Sequence, residues 1–239
     1  MSVSNLGLHF PRNVSIACVM SLLVSFSARN ANADSFDALR LYWQNYQIAN
    51  AGGAASVAAT ANSYWSSMDT SSGRAYLWSY LPLGSSSANL TTSYQQLEQM
   101  ALAWAMPGSS LQGNASLAAA IDGGLDFMCT NYYTPTTSEY GNWYDWEIGS
   151  PQALNNAAVL MYPALTALEL TNYVNSENNF SPDSADATYG WMTGANTSDK
   201  ALVAIICGIL CKKRRPNYFR ADQLKSGISI CHQRGRFSS

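Results

Sequence analysis

Eight consecutive positions, Asn142, Trp143, Tyr144, Asp145, Trp146, Glu147, Ile148 and Gly149, carry three aromatic rings, two carboxylates and an amide. So much aromatic and polar surface in one short run is not expected to be buried entirely. Large amphipathic rings favour one apolar contact and one polar one, and a sugar ring, with its apolar C–H face and hydroxyl rim, offers both. Trp143 and Tyr144 are therefore candidates to stack on sugar, with Asn142 beside them as a third binding candidate, while Trp146 is expected to face the core. The same run could instead be an aromatic plug that closes the core between helices, and residue types alone leave both readings open.

The two carboxylates invite a different chemistry. Asp145 and Glu147 are the residue types of a glycoside hydrolase's paired acids, but two residues apart they share a face only on extended backbone, and nothing else supplies a matching acid. A structural role is expected for both, capping the neighbouring helix or bonding loop amides. Ser150 reads as a helix N-cap and Pro151 as the first helical residue, which puts the run on a loop feeding a helix. Loops of that kind usually carry binding groups.

The run and its sequel resemble polysaccharide lyase family 8, which includes hyaluronate, chondroitin and xanthan lyases. In that family a similar Asn-Trp-Trp-Asp-Trp-Glu-Ile-Gly segment, followed by a Pro-led helix, forms an aromatic patch in the substrate cleft of an α/α toroid. Here Tyr144 replaces the second Trp, and Leu154, Asn155 and Asn156 continue the likeness. Thr193-Gly194-Ala195-Asn196, followed by Asp199 and Lys200, is a second match, where the family sets the Asn that contacts the substrate carboxylate. The resemblance runs over about residues 35–210.

The resemblance implies β-elimination on acidic polysaccharides: a base removes the proton at C5 of a uronate and the glycosidic oxygen at C4 leaves. That proton is poorly acidic, because a second negative charge builds on the adjoining carboxylate, and fixed donors must stabilise it. By resemblance Asn196 is the catalytic residue that does so; read from spacing alone, it could be an ordinary helix cap. The family's His, Tyr and Arg lie downstream of the Asn motif. The only histidines here, His9 and His232, do not fit that motif. A weak or inactive lyase fragment is expected, with a noncatalytic carbohydrate-binding protein or a glycoside hydrolase of helical-toroid type as alternatives. No cofactor and no metal centre are expected. Asn196-Thr197-Ser198 is also formally a glycosylation sequon, and the proposed role requires it to stay bare.

The elements that must position these residues read as helices. Phe36, Leu39, Tyr42, Trp43 and Tyr46 recur at helical spacing, as do Val57, Ala61, Tyr64, Trp65 and Met68. Tyr76 to Leu81 reads as a short helix ended by Pro82. Leu90, Tyr94, Leu97, Ala101 and Trp104 form the cleanest stripe, stopped by Pro107, and Asn114 caps the next helix, with Leu117, Ile121, Leu125 and Met128 on one face. Leu154 to Leu168 is expected to be one long helix kinked at Pro163, and Asn172 to Asp186 an exposed polar loop. Ala201 to Leu210 is apolar on every side, as a central helix would be. No segment has strand period. The expected fold is all-α, an incomplete α/α toroid of antiparallel helix pairs.

The chain has 239 residues and 47% hydrophobic content, enough for a sizeable core. Arg12 before the apolar stretch Val14 to Phe26, then Ala31-Asn32-Ala33, reads as a signal peptide over residues 1–33, hence a secreted, extracellular protein with no membrane span. Cys129, Cys207, Cys211 and Cys231 would remain; Cys207 and Cys211 with Cys231 and His232 match no zinc pattern well. A partial toroid domain is expected over residues 34–210. From Asp34 to Ile206 there are fourteen acids and three bases (Arg40, Arg74 and Lys200), while Cys207 to Ser239 holds eight bases and one acid. The contrast sets off residues 211–239 as an anomalous basic tail that is not natively folded, best explained by a frame or splice error. A nucleic-acid role for Lys212 to Arg215 conflicts with a signal peptide, so acidic polysaccharide is the expected partner.

Overall fold

The computed structural model of the protein describes residues 34–181 and 195–212. The signal-peptide segment 1–33 and all but the first two residues of the basic tail lie outside them, as do Cys231 and His232. Among the described residues the protein is all-α, without a strand. It comprises helices α1 (Ser35–Asn50), α2 (Ala54–Ser67), α3 (Ser87–Ala105), α4 (Ala115–Asn131), a π-helical turn (Asp145–Gly149), α5 (Ser150–Met161), α6 (Ala167–Phe180) and α7 (Ala195–Leu210).

Helix α3 is the hub. Its stripe of Leu90, Tyr94, Leu97, Met100 and Ala101 is wholly buried, and it packs against α2, α4, α5 and the π-helical turn. Pro107 cannot donate an i→i−4 bond and the helix ends just before it, with the Met106 N–H on the Leu102 carbonyl. Asn114 caps α4 as its position implies: its Oδ1 accepts from the Leu117 N–H at 3.0 Å. Polar ties add to the packing. Trp43 Nε1 of α1 donates to Asn156 Oδ1 of α5 (2.8 Å), and Asn156 Nδ2 donates to Glu98 Oε1 of α3 (3.0 Å).

Three stretches depart from the sequence expectation. Tyr76 to Leu81 is no helix but a series of turns that buries Leu77 and Trp78 completely, with Trp78 Nε1 donating to the Tyr64 carbonyl. Six residues before a proline give little return on helix nucleation, and burying the indole decides the backbone. The helix expected to run kinked to Leu168 stops instead at Met161, and a new one begins at Ala167. Thr166 and Glu169 form a capping box there, each side chain meeting the other's backbone N–H, so the break at Pro163 is a true end and restart. The polar stretch from Asn172 is then helical as far as Phe180, and it buries Tyr173, Val174, Ser176, Glu177 and Phe180 along one side. Helix α7 buries most of its apolar length as expected, leaving Ile205 as its exposed large side chain.

A fourth correction concerns the aromatic run. It is not a loop capped by Ser150. Ser150 has helical φ/ψ (−66°, −49°), is fully buried, and continues without interruption from the π-helical turn into α5. The chemistry of Pro151 explains the widened turn. The Ser150 N–H reaches back five residues to the Asp145 carbonyl, which frees the Trp146 carbonyl, and Pro151 has no N–H to offer Glu147. Both orphaned carbonyls find hydroxyls: Tyr133 donates to Trp146 O at 2.7 Å and Ser181 to Glu147 O.

Candidate functional site

The run enters its turn through Gly141, whose φ of +70° is in the left-handed region. A side chain there would also be blocked, since a Cβ would fall 2.6 Å from Ser87 Oγ. Ser87 Oγ accepts from the Asn142 N–H (2.9 Å) and donates to Asp145 Oδ2 (2.7 Å), while Thr91 Oγ1 donates to Asp145 Oδ1 (3.0 Å). Ser87 and Thr91 stand four residues apart on α3, so one face of that helix clamps both carboxylate oxygens. Gly149 lies close over the same spot: a Cβ would meet Thr91 Cγ2 at 2.9 Å and the Tyr144 ring at 3.3 Å.

The second half of the run faces inward. Trp146 is wholly buried, its Nε1 donating to the Tyr140 carbonyl (2.8 Å), with Tyr133 stacked on it and Phe180 and Tyr140 at its flanks. Glu147 is 3% exposed and pairs with Lys200 of α7, also 3% exposed. The Glu139 carboxyl is raised above its usual range, first by burial and then by Glu147, with Lys200 acting the other way. Asp145 and Glu147 are thus both tied to protein partners, Asp145 by hydroxyls of a neighbouring helix rather than the loop amides expected. Neither is presented as half of a hydrolytic pair.

The first half faces outward. Asn142 is exposed, and its Oδ1 accepts from the Tyr144 N–H (3.1 Å), closing a local turn. Trp143 and Tyr144 are half-buried and meet edge to face, ring centroids 6.2 Å apart. The Tyr144 phenol is held above its ordinary pKa by burial, then by the Asp199 and Asp145 carboxylates. Asp199 lies in α7 just past its first turn, which holds Asn196, half-buried. Helix α7 packs against the π-helical turn and α5; Gln152 Nε2 donates to the Asp199 carbonyl (3.5 Å) and Asn155 Nδ2 to the Val203 carbonyl (3.1 Å). Of the residues singled out by sequence, Trp143 and Tyr144 are in contact, Asn142 shapes their turn, and Asn196 rides on the helix packed beside them.

Two features escaped the sequence reading. The Ser87–Thr91–Asp145 clamp joins residues 54 to 58 apart, with no local signal. The Glu147–Lys200 pair did leave one: Lys200 is the only cation of α7 and directly precedes the apolar stretch Ala201 to Leu210. Elsewhere, Asp122, Asp126 and Glu169 bring carboxylate oxygens within 4.8 Å of one another, ligand types suited to a hard cation. Two of the three have protein partners, Tyr173 OH on Asp126 and the Thr166 N–H on Glu169. Burial and the two neighbouring carboxylates push Asp122 up to about 6.

Residues 42–235 match the family model described as polysaccharide lyase family 8, N terminal alpha-helical domain, a span that takes in much of the basic tail. Xanthan lyase of Bacillus sp. (strain GL1) is 35% identical over 82% of this chain, and hyaluronate lyase of Thermasporomyces composti is 33% identical over 76%. These stretches are 22% and 24% of the relatives' own lengths, so the chain spans about a quarter or less of each. Among solved structures, Paenibacillus xanthan lyase superposes with a TM-score of 0.69 at 37% identity, covering 82% of this chain and 19% of that one. The Streptomyces coelicolor A3 chondroitin AC lyase in complex with chondroitin sulphate gives 0.69 at 29% identity, covering 75% and 25%. The fold class is therefore all-α and part of an α/α toroid, and the chain belongs to polysaccharide lyase family 8, in its N-terminal alpha-helical domain.

Proposed function

We propose that this chain supplies the sugar-binding wall of a polysaccharide lyase that acts by β-elimination on uronate-containing acidic polysaccharides. Trp143 and Tyr144 stack on sugar rings beside Asn142, and Asn196 donates its amide to the substrate carboxylate. One observation carries the reading: two touching, half-exposed rings stand on a turn clamped to the core, beside the helix turn that bears Asn196. The rings position the polymer, each worth about 1 kcal/mol beyond area burial. The amide opposes the second negative charge that builds on the carboxylate as C5 loses its proton, and one such donor is worth about 10²–10³ in rate.

The base is not among these residues. His9 and His232, the only histidines of this sequence, do not fit the family motif, so the chain as written binds substrate and eliminates weakly or not at all. The three bases of the acidic body also have internal partners: Arg40 lies over the Tyr162 ring, Arg74 over Phe127, and Lys200 pairs with Glu147. Attraction for a polyanion therefore has to come from other cations than these three, and in this stretch ring stacking and the Asn196 amide carry the contact. A hydrolase reading loses its acids to the partners of Asp145 and Glu147. Secretion through residues 1–33 belongs to the same proposal.

The test uses the full chain with hyaluronan, chondroitin sulphate and xanthan oligosaccharides. Tryptophan fluorescence should report binding of at least one, weakened about fivefold or more in Trp143→Ala. Elimination would add ultraviolet absorbance from a C4–C5 double bond, and hydrolysis reducing ends without it. Absence of binding to all three, or a glycan on Asn196 in secreted material, overturns the assignment.

A further inference from the structure

Helix α7 is held to α5 by backbone carbonyls of Asp199 and Val203, but its tie to the π-helical turn is of another kind: the buried Lys200 ammonium against the buried Glu147 carboxylate. A buried ion pair is weak evidence for stability, because removing two charges from water offsets most of their attraction, and apolar replacements of similar volume often fold as well. Its best-attested use is to fix register between packed elements. The elements joined here are the two that matter for the site. Glu147 lies in the π-helical turn that directly follows Trp143 and Tyr144, a turn pinned to α3 through Asp145 two residues earlier. Lys200 lies four residues after Asn196, on the same face of α7. Whatever fixes Lys200 against the turn also fixes where the Asn196 amide points.

We propose that the Glu147–Lys200 pair is a positioning element, setting the first turn of α7, and with it Asn196, in register with the Trp143–Tyr144 rings so that stacked sugar and amide address one residue of the polymer. The proposal rests on the carbohydrate reading above for the identity of the ligand. Neither Glu147 nor Lys200 need touch the sugar; both act through Asn196. The charges make the register discrete, because a shift of one helical turn would separate a buried cation from its buried anion and leave each uncompensated.

Lys200→Met alone leaves the Glu147 charge uncompensated and is expected to impair folding, so the decisive variant is Glu147→Gln/Lys200→Met, which removes both charges while keeping similar volumes. The full chain, this variant, Asn196→Ala and the combination of all three changes are compared for affinity toward a hyaluronan oligosaccharide and its carboxyl-reduced, neutral counterpart. The double variant should melt cooperatively and bind the neutral sugar within about twofold of the unmodified chain. Its preference for the acidic sugar should fall about tenfold or more, the worth of one hydrogen bond to a charged group. Asn196→Ala should produce the same loss, and the combination no further loss, since both changes remove one contact. A packing role alone would weaken both sugars alike. Retained preference in the double variant, or losses that add independently, overturns the positioning role while leaving the carbohydrate reading intact; an unmodified chain that binds neither sugar overturns both.

Discussion

The two halves of the aromatic run both mix rings with polar groups, yet they have opposite fates. Asn142, Trp143 and Tyr144 stand exposed or half-buried, whereas Asp145, Trp146, Glu147, Ile148 and Gly149 are all buried. Polarity alone would sort them the other way, because both carboxylates, Asp145 and Glu147, fall in the buried half. The difference lies in what waits for each group: Asp145 meets two hydroxyls of α3, Trp146 meets Tyr133, Tyr140 and Phe180, and Glu147 meets Lys200. A polar aromatic segment can thus be both an anchor and a binding surface, provided its anchoring residues find donors or cations inside. The contrast can be broken at either end.

The largest effect is expected at the inward indole. Trp146→Ala would open a cavity against Tyr133, Tyr140 and Phe180 and leave the Tyr140 carbonyl without its donor, costing about 3–5 kcal/mol. Denaturant unfolding of the variant measures it. A loss below about 1 kcal/mol would mean that the inward half is not the anchor.

A second test separates the run's carboxylates from another in the same core. Glu98 is met by one amide, Asn156 Nδ2, and burial pushes it from 4.5 up to about 7 against that hydrogen bond. The folded state then binds a proton that the unfolded chain releases, so stability falls as pH rises from about 4.5 to 7 and levels off above. The change is of order 2–3 kcal/mol. Denaturation midpoints between pH 5 and 8 should show the decline, and Glu98→Gln should remove its larger part, leaving the share that Asp122, raised to about 6, contributes. A slope undiminished in that variant would show that Glu98 is not the group that titrates.

Asp145→Ala comes next, at about 1–3 kcal/mol, because Ser87 and Thr91 would keep buried hydroxyls without their acceptor. The same variant should weaken sugar binding although Asp145 itself is buried, since the clamp holds the turn that carries both outward rings. Unchanged affinity would show that the outward half holds its shape without the inward one.

How far these roles could be read from sequence follows the range of the interactions. Helices α2 to α5 announce themselves through apolar residues three and four apart, and the Asn114 cap is written within three residues of its donor. Helix α6 was missed because its core side mixes Tyr173, Val174 and Phe180 with buried Ser176 and Glu177, so the stripe is half polar; Thr166 and Glu169 were the legible sign. The π-helical turn depends on partners from Tyr133 to Ser181, and the local sequence offered only Pro151, which reads as an ordinary helix start. The outward position was legible locally for Tyr144 alone: once Trp146 takes the core, a residue two earlier on a helical path points away from it, whereas Trp143, three earlier, falls on nearly the same side.

The smallest effect on folding, and the sharpest test of the comparison, is Trp143→Ala. A half-buried ring that meets Tyr144 edge to face should cost under about 1 kcal/mol of stability, several-fold less than the same change at Trp146. Oligosaccharide affinity should nonetheless fall about fivefold or more, the equivalent of about 1 kcal/mol of stacking. The two alanine variants would then move in opposite senses, one losing the fold and the other the ligand, and only that crossing pattern assigns anchor and surface separately. A Trp143 variant that unfolds like the Trp146 one, or binds sugar as well as the unmodified chain, would make the whole run a core plug.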